Sequence, residues 1–176
     1  MKSSITLWQF VGFAVTSFAG TMLHFLYDWT ESTVVAPFSA VNESTWEHMK
    51  LLFFPMFAFA FIESRFFKKE YENFWCIKLK GTVFGLILIP VLFYTYNGVF
   101  GKSPDLINIA IFFIAAATTF IWETQTFKHE NTHCPSSALA RIVLCLIALA
   151  FVIFTFIQPQ IPLFQDPTTM LYGLNK

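Results

Sequence analysis

The stretch GTVFGLILIPVLFYTYNGVF, residues 81–100, contains no charged residue and is long enough to cross a membrane as a helix. A transmembrane helix needs about 20 predominantly apolar residues. Four further stretches of the chain have a similar length and apolar character. We therefore predict an all-α polytopic membrane helix bundle that forms a single domain. Its five transmembrane helices are expected at about residues 5–26, 43–66, 81–100, 106–122 and 138–157.

The composition of the chain supports a membrane protein. Hydrophobic residues make up 56% of the sequence and charged residues only 12%, whereas a soluble domain carries about 25% charged residues. Membrane lipid is therefore an expected partner, and the cell membrane is the expected location. The net charge is zero, and no nucleic-acid recognition motif is present, so we expect no nucleic-acid partner.

The span at residues 43–66 has the shortest apolar core of the five. Glu47, His48 and Lys50 lie within its first two turns. We expect this helix to begin in the membrane interface and to tilt, and a re-entrant segment is the alternative.

The distribution of basic residues predicts the orientation. Five of the eleven basic residues lie in one segment, at Arg65, Lys68, Lys69, Lys78 and Lys80. Segments rich in Lys and Arg stay on the cytoplasmic side, so the N-terminus is expected in the cytoplasm and the C-terminus outside. The tail at residues 158–176 contains three prolines. We expect it to lie across the outer face without forming a sixth helix.

Two expectations concern the cytoplasmic side. Cys76, Cys134 and Cys145 lack the spacing of metal ligands, and we expect them to be unpaired thiols. Glu63 and Glu123 end their helices near basic residues, and we expect them to form solvated ion pairs of small energetic value.

A polar stripe follows the first helix towards its outer end. Ser17, Thr21, His24 and Asp28 are spaced by four, three and four residues, which places them on one face of a helix. Ionisable groups at membrane depth normally face the bundle interior or a water-filled cavity. We therefore expect His24 and Asp28 to face the neighbouring helices.

The start of the second helix is unusually rich in polar side chains. Asn42 or Ser44 can cap the helix, and Ser44 with Glu47 fits a capping box. The cap does not account for the density of polar groups in this short run. Glu43, Glu47 and Lys50 share one face of the helix, and Ser44 and His48 share the adjacent face. Together with the end of the third helix, the candidate ligand-binding residues are His24, Asp28, Asn42, Glu43, Ser44, Glu47, His48, Lys50, Tyr94 and Tyr96.

Several chemistries fit this outer cluster. His24, Asp28, Glu47 and His48 could ligate a divalent metal such as zinc. The same groups, with Glu47, His48 and Asp28 as catalytic candidates, could serve a metal-dependent or acid/base hydrolase that acts on a lipid or an external substrate. The cluster could instead bind a small polar ligand or cation in a transport-related membrane subunit with a protein partner. A fourth alternative is an ion-paired network that stabilises a structural or assembly protein.

Four sequence blocks carry a resemblance to a known family. They are residues 24–29, 39–50, 94–98 and 162–173, and they resemble an uncharacterised prokaryotic membrane family, domain of unknown function family 6512. The resemblance spans nearly the whole chain but implies no established activity. Met170 stands where this family often has glycine.

A more limited likeness concerns the seven-helix membrane hydrolases related to alkaline ceramidase. Ser44 with His48 matches their S-x-x-x-H motif, Asp28 lies nearby, and His129 with His133 forms H-x-x-x-H. This chain has too few predicted helices, and its two motifs are predicted on opposite sides of the membrane.

Overall fold

A computed structural model of the protein describes residues 2–129 and 134–174, with side chains from residue 5 onwards. The described residues form five α-helices and contain no strand, which confirms the predicted all-α fold. The helices are α1 (Lys2–Thr30), α2 (Thr45–Phe67), α3 (Phe74–Phe100), α4 (Asp105–Lys128) and α5 (Ser137–Phe156), and a 3-10 turn follows at Pro162–Phe164.

Four of the five helices are long and apolar enough to cross a membrane, namely α1 from Ile5, α3, α4 and α5. The exception is α2, which is the central helix and packs against the other four. Thirteen of its 23 residues are buried, against four of 20 in α5. A helix surrounded by protein can carry charged side chains, provided that they find partners there. Its central position therefore explains why α2 is the least apolar of the five.

The helices run alternately in opposite directions, so the bundle has two ends. We call the end that carries His24 and His48 the histidine end, and the end that carries Lys78 the lysine end. The helices reach further than the predicted spans at several points: α3 begins at Phe74, and α4 continues to Lys128. Charged residues at these points favoured loops in the sequence, but the bundle pairs two of them, Lys78 and Glu123, in its interior.

The prediction of three unpaired thiols is wrong. Cys76, at the start of α3, forms a disulfide with Cys134, which precedes α5. Their separation of 58 residues gave no signal in the sequence. The bond forms because the packing of α3 against α5 brings the two Cα atoms to 5.7 Å. Cys145 remains a free and exposed cysteine.

The tail at residues 157–174 covers the histidine end without forming an α-helix, as predicted. Its anchor is Phe164, whose buried ring lies 4.6 Å from that of Trp46, between ring centroids. The next turn closes through a hydrogen bond from the Met170 amide to the Asp166 carbonyl. Met170 has a φ of 62° there, a left-handed conformation that favours glycine.

Candidate functional site

The local sequence at residues 42–47 fixes the start of α2. The Ser44 hydroxyl caps the helix by accepting a hydrogen bond from the Glu47 amide, and the Asn42 side chain accepts one from the Ser44 amide. The Glu47 carboxylate instead accepts a hydrogen bond from the Val41 amide at 3.1 Å. Asn42 thus occupies the amide that Glu47 would bind in a standard capping box. The cap leaves Glu43 and His48 free to face α1.

Three side chains at the histidine end place possible ligand atoms close together. His24, Glu43 and His48 each offer one such atom, and these atoms lie within 4.8 Å of one another. A Glu43 oxygen lies 3.9 Å from His24 Nε2, and its second oxygen lies 3.6 Å from His48 Nε2. The side chains are 27%, 39% and 20% exposed for His24, Glu43 and His48. The group is therefore partly shielded but accessible.

The backbone orients the His48 ring. His48 Nδ1 lies 2.9 Å from the Ser44 carbonyl oxygen, and a carbonyl can only accept a hydrogen bond. Nδ1 therefore carries the proton, and in the neutral ring Nε2 keeps its lone pair on the side of Glu43. Metal-bound histidines are commonly fixed by a hydrogen bond of this kind.

A cavity of about 450 Å³ lies beside the three side chains, between α1 and α4. This volume falls within the roughly 300–1,000 Å³ of small-molecule sites. Much of its wall is apolar and comes from Phe25, Leu51, Ile109, Phe112 and Phe113. The wall also contains polar side chains besides His24, Glu43 and His48, and these are Thr21, Lys102, Ser103, Asp105, Asn108 and Thr168. Apolar walls with a few convergent polar groups are the usual construction of a ligand site.

The carboxylate of Glu47 points away from this group and binds Lys50. Both side chains are fully buried, with Lys50 Nζ 2.5 Å from Glu47 Oε2. Lys50 also donates hydrogen bonds of 2.9 Å to the Ala36 carbonyl and to the Thr155 hydroxyl. These contacts tie α2 to the preceding loop and to α5. An ion-paired network of this kind was one of the alternatives predicted for the whole outer cluster.

The remaining sequence candidates lie outside the cavity lining. Asp28 is exposed at the end of α1, one turn beyond His24. Tyr94 is also exposed, and the Tyr96 ring packs on that of Phe100 at 5.2 Å. From the same part of α3, Phe93 lines a small space beside Glu43 and His48. The residue was not singled out from sequence, since an apolar ring there is ordinary for a membrane helix.

The tail holds Glu43 in position. The Glu43 amide donates a hydrogen bond to Asp166 Oδ2 at 3.3 Å, and the Asn42 side chain donates one to the Gly173 carbonyl at 2.9 Å. Burial alone would raise the pKa of Asp166, but hydrogen bonds from Thr168, Glu43 and Thr169 outweigh it and lower this pKa. Asp166 is therefore ionised and able to accept these bonds. Sequence reasoning missed this residue because its partner lies 123 positions away.

A second polar group lies at the lysine end and corrects another expectation. Glu63 and Glu123 are not solvated: both are completely buried, and both contact Lys78. In the structure each of these charged residues lies at least one turn inside its helix, where ionisable side chains normally pair with one another. His129 is exposed at this end, and His133 lies outside the described residues, so the H-x-x-x-H pair stays untested.

Comparison with known proteins identifies the family of the chain. Residues 1–174 match the family of unknown function DUF6512, and the chain belongs to this family, as the sequence blocks indicated. No curated protein and no solved structure matches the chain.

Proposed function

We propose that this member of the DUF6512 family binds a divalent transition-metal ion at the histidine end of a bundle in the cell membrane, with His24, Glu43 and His48 as ligands. The single observation that carries the proposal is the approach of their three ligand atoms to within 4.8 Å of one another. Two imidazoles with one carboxylate favour zinc and related metals over magnesium or calcium, which prefer oxygen ligands.

The spacing of the group is close to that of a real metal site. Ligands at bonds of about 2.0–2.1 Å to a tetrahedral zinc lie roughly 3.3 Å from one another. Here one Glu43 oxygen lies 3.6 Å from His48 Nε2 and the other lies 3.9 Å from His24 Nε2. With one ligand atom from each side chain, the three atoms lie within 4.8 Å of one another. Small side-chain movements would therefore complete the site. Glu43 replaces Asp28 and Glu47 as the carboxylate ligand that we propose.

We favour capture of a cation at the histidine end, as in a transport-related membrane subunit, over passage of cations through the bundle to the lysine end. The length and the packing of the bundle between the two ends support this choice. Along α1, His24 and Gln9 are separated by 15 residues, or about 22 Å of helix. The helices pack closely between them: the Phe59 and Phe120 rings pack on Gly12, and Met56 is buried.

The metal proposal is tested by titration of the purified protein in detergent, prepared without chelator. We expect one zinc or cobalt ion per chain, and His24→Ala and His48→Ala should each weaken binding at least tenfold. His129→Ala, which changes an exposed histidine at the other end, is the matched control. Absence of stoichiometric metal, or wild-type affinity in His48→Ala, would overturn the proposal.

A metal-dependent hydrolase is the second candidate, and the cavity favours it. Catalytic zinc sites combine three protein ligands with an open position for water. Here three possible ligands border a cavity with a largely apolar wall, which suits an amphiphilic substrate. The test is turnover of ester and amide amphiphiles in mixed micelles. Activity that is lost in His48→Ala and after chelation, and is restored to the wild type by zinc, would support a hydrolase; no turnover by the zinc-loaded wild type would exclude it for these substrates.

We also propose that the lysine end faces the cytoplasm, because the 65–80 segment concentrates basic residues. The Cys76–Cys134 disulfide at this same end opposes that orientation, since disulfides are typical of oxidising compartments. A cysteine introduced between Lys68 and Glu72 discriminates the two. This cysteine should resist an impermeant thiol reagent applied to intact cells. Ready labelling would show that the lysine end faces outwards.

A further inference from the structure

The polar group at the lysine end takes one side chain from each of four helices. Gln9 of α1, Glu63 of α2, Lys78 of α3 and Glu123 of α4 are each at most 1% exposed. Lys78 Nζ donates a hydrogen bond of 2.6 Å to Glu123 and lies 2.9 Å from a Glu63 oxygen. The Gln9 amide donates a hydrogen bond of 2.5 Å to the other Glu63 oxygen. We call these four residues the lysine cluster.

The lysine cluster contains two carboxylates but only one cationic group. Among the side chains that the structure describes, the other basic residues near this end of the helices are all exposed, namely Arg65, Lys68, Lys69, Lys80, Lys128 and Arg141. With both carboxylates ionised, the cluster would therefore carry one uncompensated negative charge inside the bundle. An unpaired buried charge is costly enough that a group normally neutralises instead.

The Glu47–Lys50 pair shows the contrast. It is also fully buried, but it joins one carboxylate to one ammonium group. It is therefore balanced without any further ion, whereas the lysine cluster needs one more positive charge.

Unpartnered polar atoms point to what supplies this charge. Among the described residues, Gln9 Oε1 and Glu123 Oε1 are both buried without a hydrogen-bond partner, and Glu63 Oε2 contacts Lys78 Nζ at 2.9 Å without a hydrogen bond. A protonated carboxyl group becomes a hydrogen-bond donor, and an amide can present either its NH₂ group or its oxygen after a half-turn. Gln9 can therefore bind Glu63 in both states: its NH₂ group donates to the carboxylate, and its oxygen accepts from the acid.

The space for Glu123 is set by a glycine on the facing helix. A Cβ added at Gly81 would lie 2.6 Å from Glu123 Cγ and 2.9 Å from its Cδ. A side chain at position 81 would therefore require this carboxyl group to move from its present position beside Lys78.

We propose that the lysine cluster is a proton-binding site, which holds one proton on the Glu63–Glu123 carboxylate pair while Lys78 remains charged. The proton brings the sum of charges to zero, and no other reactant is needed. Gln9 and Lys78 position the two carboxyl groups. Since four helices meet at the cluster, loss of this proton would leave a net charge that favours opening of the lysine end to water. The proposal is independent of the metal site.

The sign of the pH effect follows from the extra proton. Glutamate carboxyl groups of the unfolded chain are ionised at neutral pH, because their ordinary pKa is about 4.3. The folded chain then binds one proton more than the unfolded chain, so its stability falls as the pH rises. This trend is opposite to that of the salt-bridged carboxylates that cause acid denaturation.

Infrared spectroscopy of the purified protein tests the proposal directly. At neutral pH the wild type should show the carbonyl band of a buried carboxylic acid, which should disappear at alkaline pH. Glu63→Gln and Glu123→Gln should each abolish the band, because one carboxylate then balances Lys78. Glu70→Gln, which changes an exposed carboxylate at the same end, should retain it.

Stability measurements provide a second readout. Both Gln variants should be as stable as the wild type at neutral pH and less sensitive to alkaline pH. Absence of the carboxylic-acid band in the folded wild type would overturn the proposal, whether or not the variants fold. Stabilisation by sodium at constant ionic strength, without that band, would also overturn it by showing that a metal cation balances the charge.

Discussion

Replacement of Lys50 by methionine tests the central polar contact of the histidine end. The ammonium group has three protons, and it has three partners: Glu47 Oε2 at 2.5 Å, and the Ala36 carbonyl and Thr155 hydroxyl at 2.9 Å. Lys50→Met preserves much of the side-chain length but leaves the buried Glu47 carboxylate without its counter-ion. Breaking a buried pair in this way costs about 3–5 kcal/mol.

A double-mutant cycle separates this cost from the loss of packing. Glu47→Gln alone leaves the buried ammonium of Lys50 without an anionic partner and should also cost about 3–5 kcal/mol. In the double variant neither charge remains. Its cost should therefore fall below the sum of the two single costs by about 2 kcal/mol, within the range found for contacting pairs.

The assay is denaturant unfolding in detergent micelles, followed by the fluorescence of the five tryptophans, of which Trp46 is next to Glu47. Lys68→Met removes an exposed lysine and should change the free energy of unfolding by less than about 0.5 kcal/mol. A loss below about 1 kcal/mol in Lys50→Met, or additive costs in the double variant, would refute the assignment of a tightly coupled buried pair.

Three other parts of the structure give further expectations. Gly20→Ala should destabilise the bundle by about 1–3 kcal/mol, because its Cβ would lie 2.8 Å from a backbone oxygen of α2. Asp166→Asn should weaken zinc binding several-fold by loosening Glu43. The pKa of Asp166 is lowered in the folded chain. The Asp166 carboxylate therefore contributes its full stabilisation above pH about 3.9, the ordinary pKa of aspartate, and this stabilisation is lost as the pH falls through the lowered pKa. Maleimide should label only Cys145 in unfolded, unreduced protein.

Each of these expectations has a matched control or a contrary result. Gly98→Ala has open space around the new methyl group and should not destabilise the bundle in the same unfolding assay, because alanine is a better helix former than glycine. Thr169→Ala should bind zinc with wild-type affinity. It removes a hydroxyl from the same turn but keeps the hydrogen bond that the backbone amide of residue 169 donates to Asp166. Labelling of all three cysteines before reduction would show that Cys76 and Cys134 are not joined.

The helices and the candidate histidine site were accessible from sequence for local reasons. The length of an apolar run determines whether a helix can cross a membrane, and four of the predicted spans meet that criterion in the structure. The spacing of His24 on α1 and the position of His48 in the first turn of α2 are also local properties. They placed both imidazoles at one end of the bundle, where their ring centroids lie 5.7 Å apart.

The carboxylate partners were decided by the tertiary structure. Glu43 and Glu47 are four residues apart at the start of α2, yet the first faces the histidines and the second faces Lys50. Which carboxylate faces which partner depends on the rotation of α2 against α1 and α5, and on the tail that binds the Glu43 amide.

The lysine end shows the same division between sequence and structure. By itself, the sequence determined an all-α bundle with helices apolar enough to cross a membrane, the polar character of its two ends and the family. It did not determine that Glu63, Lys78 and Glu123 meet, or that Cys76 reaches Cys134. The apolar character of a run is a property of one helix, whereas the contact that a buried charge makes depends on a partner from a neighbouring helix. Only the register of neighbouring helices fixes that partner.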